Sequence, residues 1–361
     1  MTGSNIIKQR LAAHGISPGK FDAAGDMISE LVAMQAQDYL GSLWSVGLRL
    51  PKATESDVEQ AIADKMIIRT WALRGTLHFV NPEDVRWILK LIAPRINPAY
   101  YSNAHRHGLD DKSINKGIKE VVRLLEGGGQ LTRDEIRAHF KSKGIPSKGQ
   151  HTSFILLKAA LDGLICFGPR HGKQLTFVLL DEWIPSVKNK TRDVALAELT
   201  FRYFTGHGPA TLQDFIWWSG LTQTDAKAGL EMVKSQLVQE SYDDQIYWMK
   251  NGNELKSKST SSVNLLPGFD EYLLGYKNQG SSLKELYIER VKSPANGFFQ
   301  STININGKVA GFWARTIKDD TVTVEINPFM KLSEAQAKAI NSTAKIYAKF
   351  LGKRAKIAIL K

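Results

Sequence analysis

Apolar residues recur at helical spacing from the start of the chain. Ile6, Ile7, Leu11 and Ala12 share one face of residues 5–15, and Met27, Leu31 and Met34 repeat the stripe over residues 26–34. A third helix begins where Thr54 or Ser56 can cap it and runs to about Lys65. The period then changes. "MIIRTWALRGTLHFV" is two β-rich runs around Arg74-Gly75, and glycine supplies the positive φ that a tight turn needs. Three helices and a two-stranded wing predict a winged helix.

The same order returns. "SINKGIKEVVRLLEGG" predicts a helix closed by glycines, and "LTRDEIRAHFKSKG" opens a second with Thr132 three residues before Glu135, a capping box. "HTSFILLKAALDGL" supplies a third helix and "ICFGPRHGKQLTFVLL" a hairpin. Further on, "RDVALAELTFRYFTGHG", "TLQDFIWWSG" capped by Thr211, and "TQTDAKAGLEMVKSQL" precede a hairpin that turns at Asp243-Asp244. After Lys250 the pattern breaks in a polar, basic loop, "NGNELKSKSTSS". "STININGKVAGFWART" then predicts a hairpin turning at Asn306-Gly307, "TVTVEIN" a strand, and "SEAQAKAINSTAKIYAKFLG" an amphipathic helix. The expected fold is α+β: three tandem winged helices and a small, β-rich α+β C-terminal domain. The divisions fall at residues 1–108, 109–185, 186–261 and 262–361.

Composition adds two constraints. The 361 residues are 43% hydrophobic, enough for real cores, yet no apolar run approaches the ~20 residues of a membrane span. Residues 1–10 lack the apolar segment of a secretory leader, so the cytoplasm is the expected compartment. The single cysteine, Cys166, sits in the apolar run "LDGLICFG" and reads as a buried, inert thiol. Lys and Arg total 48 against 36 acids, a net charge of +12 and a pI near 9.5. Such a balance points to a polyanion, and winged helices point to duplex DNA bound mainly through its phosphates by a monomer. A regulator usually gains symmetry by dimerising; three winged helices in one chain suggest enclosure instead.

Candidate chemistry is defined first by what is missing. There is no phosphate-binding loop, dinucleotide fingerprint, H-E-x-x-H or serine-nucleophile motif, and no cofactor or metal is expected. His105 and His107 in "NAHRHG" read as part of a polar loop. Gln35-Ala36-Gln37 remains. On a continuing helix the two amides would point about 200° apart, whereas in extended backbone they share a side. Gly41 and Ser42 favour a helix ending near Gln35, which leaves two readings: both amides in one cleft, or both closing a helix by bonding to its free carbonyls.

"MQAQDYLGSLWSVGLR", "WALRGTLHFV" and "LLPGFDEYLLGY" resemble the signature stretches of the AlkZ/YcaQ-like bacterial DNA glycosylases, and the resemblance covers nearly the whole chain. It implies tandem winged helices and a glutamine–aliphatic–glutamine motif in the active cleft, which makes Gln35 and Gln37 the catalytic candidates. The sister branch has Asp at the second position. The implied activity is excision of bulky alkylated purines, including some interstrand crosslinks. A non-catalytic DNA-binding regulator is the alternative. No Schiff-base lysine stands out, so the expected glycosylase is monofunctional. Trp71, Thr76 and His78 alternate and would share a strand face, with Arg74 between them; His78 reads as a cleft residue or as a satisfied core histidine. Asp270 would stabilise a cationic sugar or cap a loop, and Glu271 stands beside it in the same apolar frame. Lys141, Lys143, Lys148, Arg170, His171, Lys173, Lys188, Lys190, Lys256 and Lys258 are the candidate phosphate contacts.

Overall fold

Four helices precede the first hairpin in the computed structural model, which describes residues 2–16, 20–187, 190–251, 262–291 and 299–360. They are α1 (Gly3–Ala13), α2 (Ala24–Leu31), α3 (Tyr39–Arg49) and α4 (Glu55–Ala63), with a short strand, β1 (Ala33–Gln35), between α2 and α3. The stripe expected over residues 26–34 stops early because Val32 takes a left-handed φ of 66° and turns the chain into β1. That conformation crowds a β-branched side chain and persists only where packing over-determines it; Val32 is fully buried. Gly41 and Ser42, which read as helix-ending residues, lie inside α3. A Cβ at Gly41 would stand 2.4 Å from Asp38 Oδ2, so the glycine leaves room for that carboxylate at the start of the helix.

The expected hairpin follows as β2 (Ile68–Trp71) and β3 (Leu77–Val80), with Arg74 and Gly75 at φ of 58° and 73°. Next comes a 22-residue helix that the pattern does not predict, α5 (Val85–Arg106), which carries Pro94 and Pro98. Its last turn contains His105, so "NAHRHG" is a helix end and not a polar loop; His105 reaches Asp111 at 2.7 Å. The second unit is α6 (Asp111–Leu125), β4 (Leu131–Thr132), α7 (Arg133–Ser142), α8 (His151–Leu161), β5 (Ile165–His171) and β6 (Gln174–Leu179). Its Thr132–Glu135 capping box closes in both directions. After a single turn, α9 (Leu180–Trp183), the third unit is α10 (Arg192–Gly206), α11 (Leu212–Ser219), α12 (Gln223–Val233), β7 (Leu237–Tyr242) and β8 (Gln245–Lys250). One order thus recurs: helix, short extended stretch, two helices, hairpin. In each case the extended stretch pairs with the second hairpin strand: Gln35 opposite His78, Thr132 opposite Thr176, Ala210 opposite Trp248.

The units are not independent. Arg69 on β2 pairs with Phe167 on β5, which joins the first two hairpins into one six-stranded sheet of order β1-β3-β2-β5-β6-β4. The remaining elements are β9 (Val263–Leu266), α13 (Glu271–Leu274), α14 (Ile288–Val291), β10 (Thr302–Ile305), β11 (Lys308–Lys318), β12 (Thr321–Pro328), α15 (Glu334–Phe350) and β13 (Arg354–Ile359). Their sheet runs β13-β12-β11-β10-β9, with β13 parallel to β12. Ile340, Ala344 and Tyr347 of α15 pack on Val322, Val324 and Ile326 and extend the same core to Trp44 of α3. Trp44 donates to the Leu265 carbonyl at 2.7 Å, so the first unit and the C-terminal sheet share one interior. Cys166 is buried, and burial pushes its thiol up to about 12, as an inert core residue requires.

One buried ion pair pins this arrangement. Asp270, just before α13, accepts two hydrogen bonds of 2.9 Å from the Arg49 guanidinium, with neither side chain exposed. The Ser45 hydroxyl and the Tyr272 N–H complete its shell. Burial alone would raise the Asp270 pKa, but the charge and hydrogen bonds of Arg49 hold it below the usual carboxylate range. Arg49→Met should therefore strand a buried carboxylate and lower unfolding stability by about 3–5 kcal/mol in a urea titration at neutral pH. The pair's contribution is present above the ordinary aspartate pKa and is lost as pH falls through the depressed one, so the gap between variant and wild type should narrow below about pH 4.

Candidate active site

The glutamine pair sits where β1 meets the tip of the first hairpin. Gln35 is the last residue of β1, and Ala36 continues the pairing by donating to the Leu77 carbonyl at 2.7 Å. The Ala36 carbonyl is gripped by Arg69, from Nε at 3.1 Å and Nη2 at 2.8 Å. The Ala36 methyl is fully buried in the first unit's core, which suits a small residue there and, by strand alternation, turns both neighbouring side chains the other way. The amide oxygens then meet the 74–77 stretch: Gln35 Oε1 accepts from Arg74 Nη2 at 3.2 Å and Gln37 Oε1 from the Leu77 N–H at 3.3 Å. Neither amide caps a helix. Gln35 is buried, whereas Gln37 is exposed.

Beneath the pair lies charge. The Gln35 N–H donates to Glu271 Oε2 at 3.2 Å, while Glu271 Oε1 accepts from Trp218 Nε1 at 2.5 Å and from His207 Nε2 at 3.3 Å. Burial raises the Glu271 pKa, but the hydrogen bond and charge of His207, with help from Arg74, leave it below the ordinary glutamate value. Arg74 bridges the hairpin tip to α11: Nη1 donates to the carbonyls of Trp217, at 3.2 Å, and Trp218. Fully buried His78 has Nδ1 2.9 Å from the Thr76 carbonyl, which can only accept, so the proton is on Nδ1. Burial, then the charge of Arg74, push His78 down to about 4, and it is neutral at physiological pH.

The structure sorts the remaining candidates. Trp71 stands opposite Leu77 and packs on Phe167 and Phe177, on the far side of the sheet from His78, which stands opposite Thr70. Counting alternate residues across a turn does not preserve a face. The Thr76 hydroxyl closes the turn on the Leu73 carbonyl at 3.1 Å. Asp270 is consumed by Arg49 and has no exposed surface with which to stabilise a sugar. Lys141, Lys143, Lys148, His171 and Lys173 are exposed on the second unit; among the described residues the four lysines have no ion-pair partner, whereas His171 faces Glu135. Arg170 is instead spent inside the protein on Glu59 and Glu55, and Lys190 on Glu198 and the Trp87 ring. Lys188, Lys256 and Lys258 lie outside the described residues. Sequence reasoning missed Arg69, His207 and Trp218. Only Arg69 left a trace, as a lone charge in the β-run "IIRTW".

This fold belongs to a defined class. A family model for DNA glycosylase AlkZ-like proteins matches residues 28–350, a span that includes both glutamines, and the chain belongs to that family. It is a DNA glycosylase, a hydrolase of the N-glycosidic bond, and DNA is its partner. An interstrand DNA cross-link repair glycosylase from Streptomyces sahachiroi is 26% identical over 361 residues, covering 96% of each chain. The Streptomyces sahachiroi DNA glycosylase AlkZ structure matches over 100% of both chains with a TM-score of 0.82 at 24% identity. Among the described residues, no helix is long and apolar enough to cross a membrane.

The bridge made by Arg74 carries a consequence. Arg74→Met removes the guanidinium that holds Gln35 Oε1 and ties the hairpin tip to α11. Single-turnover excision should fall on the order of 10- to 100-fold, the usual cost of an ångström-scale misplacement, with little change in duplex affinity.

Proposed function

We propose that the chain is a monofunctional glycosylase for cationic N7-alkylated purines in duplex DNA, with Gln37 orienting the attacking water and Gln35 positioning it. The observation that supports this most directly is the contrast in burial between amides and acids. Gln37 is exposed, while Asp270 and Glu271 are buried and hold their protons weakly. A normal base leaves poorly without a general acid, and these two carboxyls are in no position to supply a proton. A purine alkylated at N7 already carries the charge and leaves as a neutral base. What remains is to hold a water beneath the anomeric carbon.

Gln37 suits that task. Its carbonyl oxygen has two acceptor sites and spends one on Leu77 N–H, so the other is free for water. An amide is too weak a base to deprotonate water. The water's oxygen bonds to the sugar cation as the C–N bond breaks, and the excess proton passes to solvent. Neutral, unmodified bases are then spared. Three repeated winged helices along a basic monomer enclose the duplex, and Lys141, Lys143, Lys148 and Lys173, exposed on the second unit, hold phosphates without reading sequence. The crosslink chemistry named for the Streptomyces relative falls within this reading, because a bulky adduct needs an open site around an exposed amide.

Gln37→Ala should reduce single-turnover release of N7-methylguanine by ~10²–10³, the usual cost of losing one polar contact to a transition state, with duplex affinity and melting temperature nearly unchanged. Gln35→Ala should lose less. Normal excision by Gln37→Ala with a lowered melting temperature would show that the amide is only structural.

A further inference from the structure

Trp217 is the only tryptophan, tyrosine or phenylalanine among the described residues that stands well out in solvent, at 42% exposure. Its neighbour Trp218 is fully buried with its indole on Glu271, so Trp217, one position back on α11, turns outward beside Gln213. The ring is nonetheless held. Its Nε1 donates to the Leu274 carbonyl at 3.3 Å, and its own carbonyl accepts from Arg74 Nη1 at 3.2 Å. Both anchors lead to the site. Arg74 holds the Gln35 amide, and Leu274 ends the single turn whose first residue, Glu271, takes the Gln35 N–H. An exposed indole fixed by its one polar atom keeps a π surface in solvent on the helix that Arg74 ties to Gln35. Lys277 lies within 3.4 Å of Gln213 on the same face, which suits a surface crossed by a phosphate backbone.

We propose that Trp217 is the face on which the alkylated purine rests, and that its ring recognises the positive charge of that base. The inference rests on the reading of the substrate as a cationic purine. The face of an indole attracts a cation more strongly than that of any other side-chain ring, and a flat cation also stacks on it. A neutral purine gains the stacking alone. The charge also fixes the stage at which the ring acts. The base is cationic before the glycosidic bond breaks and neutral afterwards, so the attraction is greatest in the ground state and fades toward the transition state. Trp217 therefore selects the damaged base and does not accelerate its departure.

The test uses the full chain with Trp217→Leu and Trp217→Phe, a duplex carrying one N7-methylguanine, and the same duplex undamaged. Trp217→Leu should weaken lesion binding about tenfold and leave affinity for undamaged duplex unchanged. Its single-turnover rate at saturating enzyme should stay equal to wild type or rise. Trp217→Phe should lose less preference for the lesion, and it decides alone if the leucine variant fails to melt cooperatively. An equal loss for damaged and undamaged duplex, a fall in the saturated rate, or lesion preference as in wild type would overturn the proposal. If wild type itself releases no N7-methylguanine, the substrate reading falls and takes the proposal with it; if wild type excises and Trp217→Leu matches it in every respect, the proposal falls alone.

Discussion

Two consecutive carboxylates, Asp270 and Glu271, are buried in the interior of this protein, and the arrangement of the parts around them follows from how they are satisfied. A buried anion is tolerated only when charge and hydrogen bonds surround it. Asp270 draws in Arg49 and Ser45 from α3, and Glu271 draws in His207 and Trp218 from the third unit and the Gln35 N–H from the first. Distant stretches of sequence are thereby fastened to one short turn of the C-terminal region. Glu271 is thus one of the anchors of the glutamine motif, beside the β1–β3 pairing and the grip of Arg69 on the Ala36 carbonyl.

That constraint divides the labour at the site. Charge is confined below the surface, where it fixes backbone, and the side chain presented above is a neutral amide. Arg69 and Arg74 act in the same manner: one grips the Ala36 carbonyl and the other the Gln35 oxygen, and burial lowers the pKa of both, that of Arg69 to about 10. A site built this way has little capacity for proton transfer and much capacity for holding geometry. It suits a leaving group that needs no proton.

Much of this was legible in the sequence, because much of it is local. The Thr132–Glu135 box, the Arg74-Gly75 and Asn306-Gly307 turns and the three hairpins depend on residues a few positions apart, and each stands where the pattern puts it. The misses arose where tertiary packing overrules local preference. α3 tolerates Gly41 because Asp38 occupies the space a side chain would take, and Gly47 because Phe350 lies against it. α2 ends at a valine that no propensity would place at positive φ. The motif residues Gln35 and Gln37 could be picked out, but the partners that give them meaning lie 39 to 236 residues away, in Arg74, Leu77 and Glu271. Arg170 and Asp270 are spent on ion-pair partners that are remote and invisible to spacing, and Asp270 also caps the turn of α13, the second of the two readings its sequence allowed.

The central claim is that Gln37 holds the water that attacks the sugar. A crystal structure with a duplex containing 2′-fluorinated N7-methyldeoxyguanosine, which resists cleavage, tests it most directly. The account predicts an ordered water within hydrogen-bond distance of Gln37 Oε1, beneath the anomeric carbon and opposite the base. A lesion whose anomeric carbon lies away from Gln37, or a water held there by a carboxylate such as Asp38 in place of the amide, would contradict it.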